Sequence, residues 1–344
     1  LLVNNYNLVK GDFNGDGKLD VIKNKTLMLS RLDGNSNFVD FLYDGDPLAS
    51  GSSIQNNILK QSQSLLTILY DRTLKKVTLK EYGLQGNSST LYKSTDFVSS
   101  LFDNALYGNL YNPNFPAQLD YTYYNNYIAD DETYEGNYNG YGYSQFVIRI
   151  KNIRNERRFI PPREGGPKIV TTKYLYSEEY FYFDTNKNII KKLEGLDPHA
   201  KIIVSDFDGD GKTDILQVKD SFIKVYAFDA NNDIQLKFST SKESLNEVFY
   251  FGDYNGDGKA DILAPIAQDS SDWRMYISTG NGFRKEYYSN LFLYQPVWQG
   301  APRKNRNIQR FYSSSDLNKD GKSDFTIFES QVWFRDGVTD WNNP

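Results

Sequence analysis

A nine-residue pattern, Asp-x-Asx-x-Asp-Gly-x-x-Asp, occurs four times in this chain of 344 residues. Alternate residues of a tight loop can direct carboxylate and amide oxygens towards one point, and calcium takes roughly six to eight oxygen ligands of this kind. Three or four carboxylates within so short a segment repel one another unless a cation lies among them. The pattern therefore predicts calcium-binding loops, with acidic turns that bind no metal as the alternative.

The four copies offer the same ligand positions: the side chains at positions one, three, five and nine, and the backbone carbonyl at position seven. The predicted metal ligands are Asp12, Asn14, Asp16, Lys18 and Asp20; Asp206, Asp208, Asp210, Lys212 and Asp214; Asp253, Asn255, Asp257, Lys259 and Asp261; and Asp316, Asn318, Asp320, Lys322 and Asp324. A glycine at position six of each copy supplies the sharp turn, where a side chain would be costly. We therefore expect four structural Ca²⁺ sites.

An EF-hand loop is the obvious competing interpretation, and the residues exclude it. That loop requires a glutamate at its twelfth position. The twelfth positions here are Lys23, Gln217, Ala264 and Ile327. Short β-branched or aromatic runs follow each copy, and such runs are typical of strands. Each loop is therefore predicted to join one strand to the next.

Hairpin signals recur after the loops and define a repeat unit. After the copy that begins at Asp206, residues 223–228 and 234–238 flank a polar turn, and similar hairpins follow the other copies. Each unit then contains about four strands, and recurring four-stranded units are typical of propeller blades. The sequence predicts an all-β fold, a β-propeller of six four-stranded blades with seven as the alternative, in which at least four blades carry calcium loops.

The repeat is uneven along the chain. It is well marked over residues 1–45 and 200–344 and degenerate over residues 46–199. A hairpin is predicted over residues 65–79, and residues 84–136 leave a seventh unit undecided. We expect a single propeller domain that covers all 344 residues.

One degenerate copy keeps the glycines of the loop and loses its carboxylates. Residues 136–148 align with residues 252–264, but Asn137, Tyr141 and Gln145 replace the aspartates. Because the turn-forming glycines and the strand that follows remain, we expect the same loop shape there without calcium.

These residues resemble a known family. The pattern followed by an aliphatic strand resembles the FG-GAP / VCBS repeat, the blade unit of integrin-α-like β-propellers, and Phe251-Gly252 and Ala264-Pro265 keep part of its signature. The chain is also similar to the propeller segments of bacterial RHS/SpvB/TcB-type toxin-complex proteins. The resemblance implies that calcium at the matching loop positions has a structural role.

Composition argues against several other functions. The chain has no cysteine and one histidine, His199, in a turn-like segment, and it shows no P-loop or dinucleotide signature. A net charge of −5 does not indicate nucleic-acid binding, and no run of about 18 apolar residues predicts membrane insertion. The chain begins at Leu1 without a signal-type segment, so we expect a mature form or a piece of a larger protein.

The leading hypothesis is a non-catalytic interaction or scaffold module that binds a protein partner or a neighbouring domain. Three segments that interrupt the repeat are candidate surfaces: the basic segment 151–172, the segment Trp298–Arg310 and the tyrosine-rich segment 107–143. Solvated loops and strand cores also account for such charges and tyrosines. Because calcium is plentiful outside cells, we expect a secreted or cell-surface protein of bacterial type.

Glycan recognition is the alternative function, either as a lectin or as a carbohydrate-active propeller that cleaves polysaccharides. Its candidate residues are Trp273, Trp298, Trp333 and Trp341. Two of them, Trp273 and Trp333, lie beside predicted blade hairpins, where packing explains them equally well. Catalysis by carboxylates stays open, although the conspicuous carboxylates are assigned to metal.

Overall fold

The computed structural model describes most of the chain: residues 9–23, 25–30, 36–55, 58–71, 74, 76–98, 122–160, 168–219, 221–242, 248–267, 270–291, 297–299, 306–335 and 338–339. All regular secondary structure in these residues is β-strand. The all-β expectation is therefore confirmed for this part of the chain. It contains no helix of the length and apolarity needed to cross a membrane.

The chain divides into two compact units. Unit 1 contains Leu1–Ala200 and Phe228–Ile234, and unit 2 contains Lys201–Ala227 and Gln235–Pro344. Six four-stranded sheets lie in the described residues, and the strands of each follow one another in chain order. Such antiparallel meanders are the form expected of propeller blades, while the prediction of a single domain remains a prediction.

The first three sheets belong to unit 1. The first contains β1 (Val9–Gly11), β2 (Asp20–Lys23), β3 (Thr26–Ser30) and β4 (Ser36–Asp40); the second contains β5 (Asp46–Gln55), β6 (Ile58–Asp71), β7 (Lys76–Gln85) and β8 (Ser88–Val98); the third contains β9 (Thr122–Gly136), β10 (Gln145–Ile160), β11 (Lys168–Asp184) and β12 (Ile189–Leu193). The first strands of these sheets are neighbours, β1 beside β5 and β5 beside β9.

The other three sheets consist mainly of residues of unit 2. The fourth contains β13 (Lys201–Ser205), β14 (Asp214–Lys219), β15 (Phe222–Phe228) and β16 (Ile234–Ser241); the fifth contains β17 (Tyr250–Gly252), β18 (Asp261–Pro265), β19 (Trp273–Ser278) and β20 (Phe283–Tyr288); the sixth contains β21 (Val297–Gln299), β22 (Arg306–Ser315), β23 (Asp324–Arg335) and β24 (Val338–Thr339). Strand β17 of the fifth sheet neighbours β22 of the sixth.

Adjacent residues of one strand supply two separate cores in unit 1. Successive side chains of a strand point to opposite faces of the sheet. Leu65 therefore packs with Ile22 of the first sheet, whereas Leu66 packs with Ile148 and Phe181 of the third. The second sheet is thus apolar on both faces, as a blade between two other blades must be.

Unit 2 repeats this arrangement in the fifth sheet. Ile262 of β18 is fully buried in a cluster with Leu216 of the fourth sheet. The next residue, Leu263, lies on the opposite face in a cluster with Trp273 and Phe325, the latter from the sixth sheet. Trp273 is completely buried, so packing is its role, and it is not an exposed platform for a sugar ring.

The described residues of two candidate surface segments, 151–172 and Trp298–Arg310, lie in strands. Residues 151–160 extend β10 and residues 168–172 begin β11, where the β-branched run Ile169–Thr172 favours a strand. Trp298 lies in β21, and Arg310 in β22. The sequence predicts a separate hairpin strand after the fourth motif copy. In the structure this segment is the last part of β23, which continues without a break to Arg335.

The ambiguous middle of the chain also resolves into strands. Strand β8 completes the second sheet, and β9 begins the third. Both strands lie within residues 84–136, for which the sequence leaves a seventh unit undecided. The hairpin predicted over residues 65–79 is present as the β6–β7 pair. Residues 99–121 lie outside the described part of the chain.

A core substitution tests the two-faced packing of the fifth sheet. Ile262→Ala removes a fully buried side chain and should lower the free energy of unfolding by about 2–5 kcal/mol, because the methyl groups are lost and a cavity remains. Leu236→Ala, at a residue of β16 that is 54% exposed, should change it by less than about 0.5 kcal/mol. Urea unfolding followed by tyrosine and tryptophan fluorescence measures both, and equal losses would contradict the assignment.

Candidate metal centre

Five loops with the same sequence pattern join consecutive strands, and each is numbered by the sheet that carries it. They are loop 1 (Asp12–Asp20), loop 3 (Asn137–Gln145), loop 4 (Asp206–Asp214), loop 5 (Asp253–Asp261) and loop 6 (Asp316–Asp324). The prediction that these loops connect strand to strand is confirmed.

The loops share a backbone that turns through left-handed conformations at positions four and six. In loop 4 these residues are Gly209 and Gly211, with φ of 82° and 80°. In loop 3 they are Gly140 and Gly142, with φ of 69° and 78°. The degenerate loop therefore has the expected shape at both turn residues. Glycine adopts these left-handed conformations without the strain that a side chain would bring.

The aspartate at position one organises each loop through its side chain. Asp206 accepts hydrogen bonds from the backbone N–H groups of Gly209 at 2.6 Å and Gly211 at 2.9 Å, one on each carboxylate oxygen. Asp12 and Asp253 accept from the equivalent glycines of loops 1 and 5. The carboxylate thus satisfies N–H groups that the tight turn leaves without strand partners.

The same aspartates bond to the next sheet through their backbone. Their carbonyl oxygens accept hydrogen bonds from neighbouring-sheet N–H groups in three pairs: Gln63 to Asp12 at 2.6 Å, Ala260 to Asp206 at 2.8 Å and Ser323 to Asp253 at 2.7 Å. In loops 1, 4 and 5, loop shape and sheet-to-sheet contact therefore depend on the same residue.

Loop 4 brings three predicted ligands together. Carboxylate oxygens of Asp206, Asp208 and Asp210 lie within 4.8 Å of one another. Two lysines approach them: Lys212 Nζ lies 2.9 Å from Asp210 Oδ2, and Lys237 Nζ lies 2.9 Å from Asp208 Oδ2. Burial alone would raise the pKa of Asp210, but the side-chain and backbone hydrogen bonds from Lys212, together with the charges of Lys212 and Lys237, outweigh burial, and the pKa lies below its usual value.

The aspartate at position nine is a hydrogen-bond acceptor, and it is buried in loops 1, 4 and 5. In loop 5, Asp261 Oδ2 accepts from the N–H of Tyr254 at 3.1 Å and Oδ1 from the N–H of Ser278 at 2.8 Å. Desolvation raises the pKa of Asp261 to about 6 despite these bonds. Asp20 has the same bonding pattern in loop 1. This residue therefore fixes the start of the second strand whether or not it also binds metal.

Loop 4 departs from this pattern in a way that suits a cation. Asp214 Oδ2 accepts from the N–H groups of Phe207 and Asp208, at 2.9 and 3.1 Å. Its Oδ1 is buried and has no hydrogen-bond partner among the described residues. Desolvation, with the charges of Asp208 and Asp206, raises the pKa of Asp214 to about 7. The hard oxygen donors of this loop, and a negative charge that Lys212 and Lys237 offset only in part, therefore fit Ca²⁺.

Loop 3 reproduces the hydrogen bonds with neutral groups. Asn137 Oδ1 accepts from the N–H of Gly142 at 3.2 Å, in the place of the position-one carboxylate. Gln145, fully buried like the position-nine aspartates, accepts from the N–H of Asn139 at 3.3 Å. The loop shape therefore requires acceptors at positions one and nine, and amide oxygens suffice.

A lysine side chain lies over the aromatic residue at position five of loop 3. Lys187 Nζ is 3.3 Å from the centroid of the Tyr141 ring, a cation–π contact. Tyr141 also stacks on Tyr143, whose hydroxyl donates to Asp184 Oδ2 at 2.9 Å. Aromatic and cationic groups therefore occupy the region where the other loops carry a carboxylate.

The predicted ligands thus fall into two structural groups. Positions one, three and five cluster in loop 4, while the position-nine aspartate of each motif copy accepts a hydrogen bond from a backbone N–H group of its own loop. The carbonyls predicted at position seven stay a prediction. The sequence analysis missed Lys237 and Lys187, because each lies on a different strand or turn from its partner and no local pattern marks it.

Comparison with known proteins supports the repeat. Residues 206–264, which include loops 4 and 5, match the family model described as FG-GAP-like repeat. A search of curated proteins gives no match. One solved structure, from work on the recognition of non-reducing terminal N-acetylglucosamine by an Agrocybe aegerita lectin, aligns over 96% of this chain and 77% of its own, with 13% identity and a TM-score of 0.41. A score this low supports no inference about the present chain.

Replacing a position-nine aspartate should destabilise the protein even without metal. In EDTA, Asp261→Ala should cost about 2–4 kcal/mol of unfolding free energy, because two backbone N–H groups lose their acceptor. Asp96→Ala, which removes an exposed ion pair with Lys76, should cost less than about 1 kcal/mol. Urea unfolding in EDTA tests the pair, and a loss for Asp261→Ala no larger than the control would refute the structural role.

Proposed function

We propose that this chain is a calcium-stabilised β-propeller that acts by binding and not by catalysis. The observation that carries the calcium part is the cluster of Asp206, Asp208 and Asp210 inside a segment that matches an FG-GAP-like repeat. The four-stranded meanders and their two-faced cores support the propeller. The further likeness to RHS and toxin-complex propellers stays a prediction.

Calcium in these loops would supply positive charge among carboxylates that otherwise repel. The side chains at positions one, three and five of loops 1, 4, 5 and 6 would bind it, and the position-nine aspartates would contribute an oxygen or support the loop. Since the position-one residue also bonds to the next sheet, metal binding would stabilise sheet stacking as well as the loop. This reinforcement is a structural role.

Removal of metal tests the calcium role. EDTA should lower the melting temperature, and calcium but not magnesium should restore it, because a ligand that binds only the folded state adds about 2.7 kcal/mol per site at a hundredfold excess over Kd. Asp210→Ala should reduce the calcium stoichiometry from four, one for each motif copy, to three. Tyr141→Ala should leave it unchanged. Differential scanning calorimetry and equilibrium dialysis measure both, and an EDTA-insensitive melting curve would exclude structural calcium.

The binding surface that we propose is a three-stranded ribbon at the end of the third sheet. Strand β10 has an irregularity in its register near Asn152 and stays paired with both neighbours beyond it. Its pairing with β11 continues from Ile153↔Leu175 to Ile160↔Lys168. Strand β12, in contrast, pairs only with Tyr180–Asp184 of β11. We define the ribbon as residues 122–128, 153–160 and 168–175. No other sheet in the described residues has three strands as long as these.

The ribbon has a composition that suits recognition. It carries five basic residues, Arg154, Arg157, Arg158, Lys168 and Lys173, against one acidic residue, in a chain whose net charge is −5. The register places Arg154 opposite Tyr174 and Arg157 opposite Tyr123. Arginine and tyrosine are enriched in binding hot spots. An acidic surface on a protein partner or neighbouring domain is the complement that this charge favours.

Location and calcium occupancy are linked in this proposal. We propose that the protein works outside the cell or at its surface, where calcium concentrations fill sites of the weak extracellular class, with Kd of roughly 0.1–1 mM. Glycan binding remains the second candidate function, and its direct test is a glycan array.

Shortening the ribbon tests its role in binding. In one variant, an Asn-Gly turn replaces residues 153–176, which are the part of the β10–β11 hairpin from the bulge to the tip. This variant should keep the wild-type melting temperature within a few degrees. It should lose binding to an acidic protein partner or neighbouring domain, with affinity falling at least about tenfold, since charge pairs and hot-spot residues are removed. The measurement is surface plasmon resonance, with Arg154→Glu/Arg157→Glu as a full-length companion variant. Unchanged affinity in both variants would exclude the ribbon.

A further inference from the structure

Loop 4 has one more negative charge than its counterparts. Position three is Asp208 in loop 4 but asparagine in the other three motif copies, Asn14, Asn255 and Asn318. The side chain of Asp208 is only 5% exposed. A buried carboxylate without a counter-charge is costly, so this substitution needs compensation from elsewhere in the fold.

That compensation comes from an outer strand. Lys237 of β16 places its Nζ 2.9 Å from Asp208 Oδ2, while the lysine keeps 42% of its side-chain surface exposed. Asp208 and Lys237 are far apart in sequence and meet only because the fourth sheet folds β16 back alongside the loop. The ion pair is therefore a tertiary feature of this sheet.

The ion pairs among the described residues give loops 1, 4 and 5 the same net charge. Loops 1 and 5 each have two aspartates, at positions one and five, and one lysine that forms an ion pair. This lysine is Lys18 in loop 1 and Lys259 in loop 5. Loop 4 has three aspartates, accompanied by Lys212 and Lys237. Leaving position nine aside, each of the three loops carries a net charge of −1.

We propose that Lys237 sets the calcium affinity of loop 4 by offsetting the extra charge of Asp208, an inference that rests on the calcium role proposed above. A cation held against one oxygen of a ligand residue lowers the attraction of that residue for a second cation. Lys237 is a positioning and charge-setting residue in this scheme and contributes no ligand atom. It makes loop 4 resemble its asparagine-containing counterparts electrostatically.

The test is site-resolved hydrogen exchange of the full chain across a series of buffered free calcium concentrations. The peptide covering Asp206–Asp214 reports loop 4, and the peptide covering Asp253–Asp261 is an internal control. Lys237→Met should lower the calcium midpoint of loop 4 by about tenfold, the effect of one unit charge near a dication, and leave the loop 5 midpoint unchanged.

Four companion variants separate charge from structure. Lys237→Arg keeps the charge and should keep the midpoint. Asp208→Asn should raise the midpoint, and the double variant Asp208→Asn/Lys237→Met should return towards the wild-type value. Lys76→Met, which breaks a similar exposed ion pair with Asp96 in the second sheet, should shift neither midpoint.

The outcomes distinguish the role of Lys237 from the calcium role on which it rests. Calcium-dependent protection of loop 4 with the same midpoint in wild type and Lys237→Met overturns the role of Lys237 and leaves structural calcium standing. An equal shift in loops 4 and 5 also overturns it, because the effect would then be global. Absence of calcium-dependent protection in every loop overturns both.

Discussion

The first aspartate of loops 1, 4 and 5 carries the constraint on which the rest of the structure depends. Its carboxylate accepts hydrogen bonds from N–H groups of a turn that has no strand partners, and its carbonyl accepts an N–H group from the next sheet, as Asp206 does from Ala260. The turn N–H groups of loop 4 are exposed, so the carboxylate holds the turn in one shape against competition from water, and a hydrogen bond to a charged group contributes on the order of 1.5–3 kcal/mol. The residue that shapes the loop is thus also the residue that spaces neighbouring sheets.

The calcium binding that we propose builds on this arrangement. Loop 3 shows that the shape itself requires acceptors and glycines but not carboxylates, because the amide oxygens of Asn137 and Gln145 accept loop N–H groups in the places of the position-one and position-nine carboxylates. The extra carboxylates of loops 1, 4, 5 and 6 therefore need another explanation, and the calcium that we propose would account for them. In loop 4, Lys212 within the motif and Lys237 outside it neutralise part of the cluster, so the field that a metal would meet depends partly on a residue remote in the chain.

Local patterns predicted a large part of this molecule, because the information is contained within about ten residues. The loop glycines and the β-branched runs after each loop indicate where strands begin, and these predictions are confirmed. The metal-ligand role of positions one and nine stays a prediction. The extension of β10 and β11 escaped prediction because arginines and a nearby Pro-Pro and Gly-Gly sequence resemble a solvated loop. Pairing of residues 153–160 with both neighbouring strands stabilises a strand that its own composition does not specify.

By itself, therefore, the sequence determined the all-β class, the four-stranded repeat and the positions of the loop motifs, since these depend on the chemistry of adjacent residues. Only the tertiary structure decided which aspartates cluster and which are engaged by backbone N–H groups. It also decided that Leu65 and Leu66 serve different cores, and that Lys237 meets Asp208. Those outcomes depend on distances between residues that are remote in the chain, and such distances are set by sheet register and stacking.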